Sequence, residues 1–177
     1  GKKEIMHFIL KCTLNPEFIN RDFDRPITDD LFAGLENDIV EVFEKTGNDF
    51  AKHLTDNAAD YTLEALVSDA FDMLSQYAVG CLFIEKNQFD FKFLAEHYKQ
   101  YRKRFLETMT QYMAAFIKRG IVRPLEHLEL STTLIIEILS WWAMDIHYTS
   151  FETQDISPGI AKKLCLDNIV SAYQYKN

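Results

Sequence analysis

The sequence has little of what marks several familiar classes of protein. It contains three cysteines, Cys12, Cys81 and Cys165, an odd number spread far apart along the chain. Isolated cysteines within apolar segments predict buried, reduced thiols and not a disulfide framework. Such a set of thiols is typical of a cytoplasmic protein.

Positive charge and long apolar runs are also scarce. Aspartate and glutamate outnumber lysine and arginine by 27 to 19, which gives a formal net charge of -8. This charge would repel a phosphate backbone, so the chain as given is a poor candidate for binding nucleic acid. The longest apolar run, residues 134–144, is interrupted by Glu137 and Ser140. It is well short of the roughly 20 residues that a membrane span needs, and no signal-peptide pattern opens the chain.

Only six glycines and four prolines interrupt the chain. No segment alternates apolar and polar residues for long enough to predict a strand. Apolar residues recur instead at intervals of three and four, which predicts helices. The predicted helical segments are 2–13, 28–54, 62–86, 91–119, 130–149 and 158–175, with an aperiodic connector at 16–27. We therefore expect a single all-α domain over residues 1–177.

Motifs for catalysis, metal binding or phosphate binding are missing. The five histidines are scattered singly: His7, His53, His97, His127 and His147. None has the paired spacing of a zinc or di-iron site. There is no Gly-rich phosphate loop, no GxSxG elbow and no local nucleophile signature. We expect no enzyme activity, no metal and no cofactor, although a helical enzyme built from dispersed acidic residues stays an alternative.

One dense basic cluster, YRKRF at residues 101–105, lies in the longest predicted helix. Consecutive charges fan around a helix instead of sharing one face. The two aromatic residues of the cluster belong to the apolar face. The pattern favours a solvated surface over a nucleic-acid patch.

Aromatic residues are concentrated on the helix faces that should meet in the interior. Tyrosine and methionine in a helical interior can line an adaptable small-molecule pocket, although the same residues can form plain core, and composition alone favours core. The candidate ligand-binding residues on these faces are Phe43, Phe71, Tyr77, Tyr101, Phe105 and Tyr112.

The segment STTLIIEILSWWAMDIHY, residues 131–148, is apolar around an unusually large part of its circumference. At 100° per residue its apolar positions cover roughly 220°, about twice the stripe that one core face requires. The last segment, 158–175, is similarly wide. This surplus predicts a second burial partner, for which another copy of the chain is the simplest choice. The alternative is that both helices are central in the core of a single chain.

The predicted dimer interface follows from the same helical wheel. It comprises Ile135, Leu139, Trp142, Leu166, Ile169, Val170 and Tyr173. We expect Trp142, Ile135 and Leu139 to lose exposure on dimerisation. We expect Trp141 and Ile138 to be buried within the single chain.

Several segments resemble the C-terminal ligand-binding and dimerisation domain of TetR/AcrR-family transcriptional regulators. They are the start KKEIMHFIL, LFIEKN (82–87), HYKQYRKRF (97–105), FIKRGIVR (116–123) and IIEILSWW (135–142). The start is similar to the helix that follows the recognition helix in that family, and the resemblance covers nearly the whole chain. The family's N-terminal helix-turn-helix is missing, so we expect a fragment that reaches operator DNA only through that absent domain.

The resemblance implies a cytoplasmic one-component regulator without a membrane segment. In this family the last two long helices, here 130–149 and 158–175, form a four-helix dimer interface. A small-molecule effector bound between the middle helices shifts the spacing of the DNA-binding heads, and residues 1–14 would be the connecting helix. The alternative is a stand-alone helical dimeric binding or scaffold protein without a small-molecule pocket.

Overall fold

Helices account for nearly all regular structure in this protein. The structure is a computed structural model and describes residues 1–23, 27–55, 60–152 and 154–176. The helices are α1 (Lys2–Leu14), α2 (Leu35–Thr55), α3 (Leu63–Gln76), α4 (Ala78–Lys86), α5 (Lys92–Lys118), α6 (Leu128–Ser140) and α7 (Pro158–Tyr173). Helix α6 continues through a π turn, Trp141–Asp145, into Ile146–Tyr148, and two 3-10 turns, Pro16–Asn20 and Asp29–Phe32, follow α1. The prediction of an all-α fold is confirmed.

Helix α5 is the axis around which the other helices are arranged. It packs against α2 on one side and against α6 on the other. The Tyr112 hydroxyl donates a hydrogen bond of 2.6 Å to the carbonyl oxygen of Phe50. The rings of Phe50 and Phe105 lie 5.2 Å apart, and Arg104 donates to Asn48 Oδ1 at 2.6 Å. Both aromatic packing and hydrogen bonds therefore hold α2 along α5.

Helix α6 buries one face in the bundle and leaves the other exposed. It packs on α5 and α3, and its π turn contacts α3, α4 and α7. The end of α7 is fixed to the connector after α5, where Tyr175 N donates to Ile121 O at 2.8 Å and Arg123 N donates to Tyr173 O at 3.0 Å. Both C-terminal helices therefore use much of their apolar surface within one chain. Within the described ranges, none of the helices has the length and apolar character to cross a bilayer.

The start of α2 differs from the sequence prediction. Thr28 makes no capping hydrogen bond, and the residues after it form the 3-10 turn Asp29–Phe32. The chain then passes through Gly34 at φ +80°, a backbone conformation that favours glycine, before α2 begins. Because of this extra turn Phe32 is buried and Leu31 is exposed. Residues 24–26 of the predicted connector lie outside the described residues.

The predicted segment 62–86 is two helices. Of the two candidate caps in the sequence, Asp60 and Thr62, Thr62 caps α3, because its hydroxyl accepts a hydrogen bond from Ala65 N at 3.1 Å. Tyr77 then leaves helical geometry at φ -118° and ψ 22°, so α3 ends at Gln76 and α4 begins at Ala78. Apolar periodicity continues across this break, which is why the sequence pattern did not reveal it.

Helices α1 and α4 approach each other closely at Gly80. A Cβ atom added there would overlap the Thr13 Cγ2 methyl group and lie 3.0 Å from Thr13 Cβ and Oγ1. Leu10 of α1 is buried and lines the narrow gap at this contact. Glycine at this position allows the two helices to pack with little space between their backbones.

We expect Gly80→Ala to destabilise the fold by about 1–3 kcal/mol, because the new methyl group overpacks the α1–α4 contact. Urea unfolding followed by circular dichroism measures this change. Adding Thr13→Ser, which removes the overlapped methyl group, should recover part of the loss. Gly159→Ala is the matched control, since a Cβ atom there meets nothing within 4 Å. A Gly80→Ala protein as stable as the wild type would show that the two helices separate at no cost.

Candidate functional site

A cleft lies between α2 and α3. It has a volume of about 440 Å³ and is open to solvent. Its apolar lining includes Val42, Phe50, Met73 and Tyr77. Phe50 is held by α5, as described above, so this part of the lining is fixed. An apolar floor with converging polar groups is the usual composition of a small-molecule site.

Charged side chains of both signs line the same cleft. Helix α2 contributes Lys45, Asp49 and Lys52, and helix α3 contributes Asp69 and Asp72. Asp72 accepts a hydrogen bond of 2.6 Å from Lys162 of α7, so its charge is already compensated. The cleft therefore combines apolar packing with groups that can orient a polar ligand.

The ring of His53, which lines the cleft, packs on the ring of Tyr61. His53 stacks on Tyr61, with ring centroids 4.2 Å apart and planes 21° from parallel. The Tyr61 hydroxyl donates a hydrogen bond of 2.8 Å to Asp69 Oδ2. Burial first, and the hydrogen bond to the Asp69 carboxylate second, raise the pKa of Tyr61. The phenol therefore stays protonated at neutral pH and acts as the donor, which orients the carboxylate at the cleft.

A smaller crevice of about 170 Å³ lies between α2 and α5. The rings of Phe43 and Tyr101 stack there at 4.9 Å, with planes 20° apart. Burial raises the pKa of Tyr101. Glu44, His97 and Arg104 also line this crevice, so it too has a polar rim.

The structure divides the six predicted ligand-binding residues into three groups. Tyr77 lines the α2–α3 cleft, and Phe43 and Tyr101 line the α2–α5 crevice. Phe105 borders a narrow gap near Phe50, and Phe71 and Tyr112 are buried core residues that line none of these openings. Ligand contact by any of the six stays a prediction.

Sequence reasoning missed most of the cleft. Val42, Thr46, Asp49 and His53 recur at helical spacing along α2. They form a mixed polar stripe beside the apolar stripe that packs on α5. A search restricted to aromatic positions on apolar faces could not find a site whose rim is charged.

The predicted dimer residues require a correction. Ile135, Leu139, Ile169 and Tyr173 are buried within the single chain and offer no surface to a partner. Their burial follows from the packing of α6 on α5 and α3 and from the tie between the end of α7 and the connector after α5. Trp142, Leu166 and Val170 are half-buried and stay candidates for the interface.

The two tryptophans are also placed differently from the prediction. Trp141 is 41% exposed, and Ile138 is half-buried. The residues 141–145 form a π turn, whose wider winding breaks the 100° spacing on which the helical wheel was drawn. The exposed apolar residues of α6 and α7 are Leu130, Leu134, Trp141, Tyr148, Ile160 and Leu164.

The basic cluster at 101–105 is engaged by neighbouring helices. Arg102 lies 3.6 Å from Glu85 of α4 and 3.6 Å from Glu137 of α6, so it connects three helices. Lys103 pairs with Glu107 at 3.9 Å along α5. This arrangement agrees with a structural role for the basic residues.

Among the residues that the structure describes, no three His, Cys, Asp or Glu side chains are grouped as a metal ion requires.

Comparison with known proteins gives no match: no family model, no curated protein and no solved structure is similar to the chain.

The three thiols differ in their surroundings. Cys81 is buried between α4 and α5, and its burial raises the pKa of the thiol to about 12. Burial also raises the pKa of Cys165 to about 11. Cys12 is half-buried, and burial raises its pKa as well. A raised pKa lowers the thiolate fraction at a given pH, and thiolate is the reactive form.

We expect native protein at pH 8 to be alkylated at Cys12 first and at Cys81 last. The physical reason is that Cys81 combines burial with the smallest thiolate fraction. Mass spectrometry of peptides after timed treatment with N-ethylmaleimide measures the order, and the same treatment in denaturant is the control for equal intrinsic reactivity. Modification of Cys81 as fast as Cys12 would contradict the packing of α4 on α5.

Proposed function

We propose that this chain is the effector-sensing and dimerisation domain of a TetR-like, cytoplasmic transcriptional regulator. The resemblance of its segments to that family motivates the proposal. The helical architecture and the α2–α3 cleft are compatible with it. Operator binding would require the family's N-terminal helix-turn-helix.

One observation supports the proposal most directly. Val42 and Tyr77 line the cleft and also a second, narrow gap where α1 packs against α2 and α4. The same gap is lined by Leu10, Thr13 and Gly80, at the point where α1 contacts α4. A ligand that changes the position of Val42 or Tyr77 therefore changes the packing surface of α1. An effector acts through its differential affinity for two conformations, and this shared wall supplies a physical connection.

In this proposal α1 is the helix that would transmit the change to a DNA-binding head. It is held to α4 by the close contact at Gly80. It is also held to the 3-10 turn Asp29–Phe32, because Lys3 and His7 lie 3.5 Å and 3.2 Å from the carboxylate oxygens of Asp29. These exposed polar contacts are weak compared with the buried packing around Leu10. Movement at the cleft therefore reaches α1 mainly through apolar contacts.

The proposal is tested with compounds that raise the melting temperature in a small-molecule screen. We expect such compounds to slow or speed amide hydrogen exchange in α1, measured by mass spectrometry, because they alter the wall that α1 shares with the cleft. Val42→Trp should abolish the stabilisation by filling the cleft. Glu41→Trp, which adds the same ring on the exposed side of α2, is the control. Compounds that bind without any change in α1 would refute the sensing role.

Dimerisation is proposed through the exposed apolar residues of α6 and α7. Leu134 is 56% exposed and Leu164 is 41% exposed, although each lies on a helix whose opposite side is buried. Exposed apolar residues on adjacent long helices are typical of a surface that another copy covers. This surface replaces the buried positions of the sequence prediction.

We expect Leu134→Asp and Leu164→Asp each to weaken a dimer by roughly a hundredfold, because a carboxylate would be buried in an apolar interface. Sedimentation equilibrium over a range of concentrations measures the constant. Phe89→Asp is the control, since Phe89 is 82% exposed and lies between α4 and α5. A wild-type chain that sediments as a monomer at the highest concentrations would refute this part of the proposal.

A further inference from the structure

Four of the five charged Lys and Asp side chains that line the α2–α3 cleft are exposed and, among the described residues, unpaired. Lys45, Asp49, Lys52 and Asp69 form no ion pair with any residue in the described part of the chain. Asp72, the fifth charge of the cleft, is compensated by Lys162. Two positive and two negative groups therefore remain available around one opening.

Helix spacing would allow an ion pair between Asp49 and Lys52, which are three residues apart, but these two groups do not pair in the described part of the chain. Lys45 and Asp49 are four residues apart with the lysine first, the less favourable order for an ion pair along a helix. Lys45 and Lys52 are two turns apart, roughly 10 Å along the axis. Positive groups therefore lie at both ends of the α2 wall with a carboxylate between them.

The opposite wall has a carboxylate whose position is fixed. The Tyr61 hydroxyl donates to Asp69 Oδ2 at 2.8 Å, and His53 stacks on the Tyr61 ring. A carboxylate has further acceptor capacity after one hydrogen bond. Asp69 can therefore accept from a ligand ammonium group while Tyr61 holds it.

The balance of charge restricts the ligands that suit this cleft. A ligand with only a positive group would leave the two lysines without a partner. A ligand with only a negative group would leave the two carboxylates without a partner. The unused charges are exposed and keep their water, so such a ligand would gain only half of the available charge pairing. A molecule with one charge of each sign on an apolar body can pair with both sets and cover Phe50 and Met73.

We infer that the cleft binds a small zwitterion that carries an ammonium group, a carboxylate and an apolar body. The carboxylate pairs with Lys45 or Lys52, and the ammonium group with Asp49 and Asp69. The apolar body lies on Phe50, Met73 and Tyr77. The inference rests on the proposed function and adds to it the chemical class of the effector.

Three probes of matched shape test this class by isothermal titration calorimetry: L-tryptophan, tryptamine, which lacks the carboxylate, and indole-3-propionate, which lacks the ammonium group. We expect tryptophan to bind at least roughly tenfold more tightly than either of the other two, since each lost charge removes a charge-assisted contact.

Variants of the charged cleft residues test which of them bind the carboxylate of the ligand and which bind its ammonium group. Lys45→Met with Lys52→Met should weaken tryptophan at least roughly tenfold and leave tryptamine nearly unchanged, because only tryptophan has a carboxylate. Asp49→Asn with Asp69→Asn should weaken tryptophan and leave indole-3-propionate nearly unchanged. The control is Lys103→Met with Glu107→Gln, which removes one charge of each sign on α5, outside the cleft. Circular dichroism confirms that each variant is folded.

The outcomes separate this inference from the proposed function. If tryptamine or indole-3-propionate binds as tightly as tryptophan and Val42→Trp blocks the binding, the zwitterion class is overturned while the cleft remains an effector site. If none of the three probes binds, the zwitterion class is also overturned, and the hydrogen-exchange experiment on α1 decides the sensing role independently.

Discussion

The burial of both sides of α5 is the constraint on which the rest of the structure depends. Its 27 residues make a rod of roughly 40 Å. Aromatic and methionine side chains, among them Tyr98, Phe105, Met109 and Tyr112, are buried along it. Helix α2 covers one side of this rod, and α6, which continues to residue 148, packs on the other. Helices α3, α4 and α7 then fill the space that these three leave.

The same constraint leaves the cleft open. The side of α2 toward α5 is aromatic and is fixed by the Tyr112 hydrogen bond to Phe50. The side toward α3 carries Lys45, Asp49 and Lys52, and closing it would require these charges to lose water without established partners. Desolvation of charges costs several kcal/mol per ion, more than the small apolar floor returns. The cleft is therefore a consequence of charge on one face of a helix whose other face is tightly packed.

The helical content was predictable from the sequence because apolar spacing is a local property. The starts of α3 and α7 and the end of α5 were also predictable. Local rules apply there, because Thr62 and Ser157 are helix caps and Gly120 follows the end of α5. The break at Tyr77 was not predictable, because both halves keep the same apolar period. The burial of Ile135 and Leu139 within one chain was not predictable either. A helical wheel gives the width of an apolar arc but not the number of helices of the same chain that cover it.

The cleft has two physical connections to the rest of the chain, and their strengths differ. The first is the pair Asp72–Lys162, which joins the rim to α7. Asp72 is largely exposed, and such pairs contribute about 0–1 kcal/mol. The second is the wall of Val42 and Tyr77, which leads to the contact of α1 with Gly80. Packing changes of one methyl group in such a contact cost about 1–3 kcal/mol. If the cleft has the proposed sensing role, we therefore expect it to act on α1 more strongly than on α7.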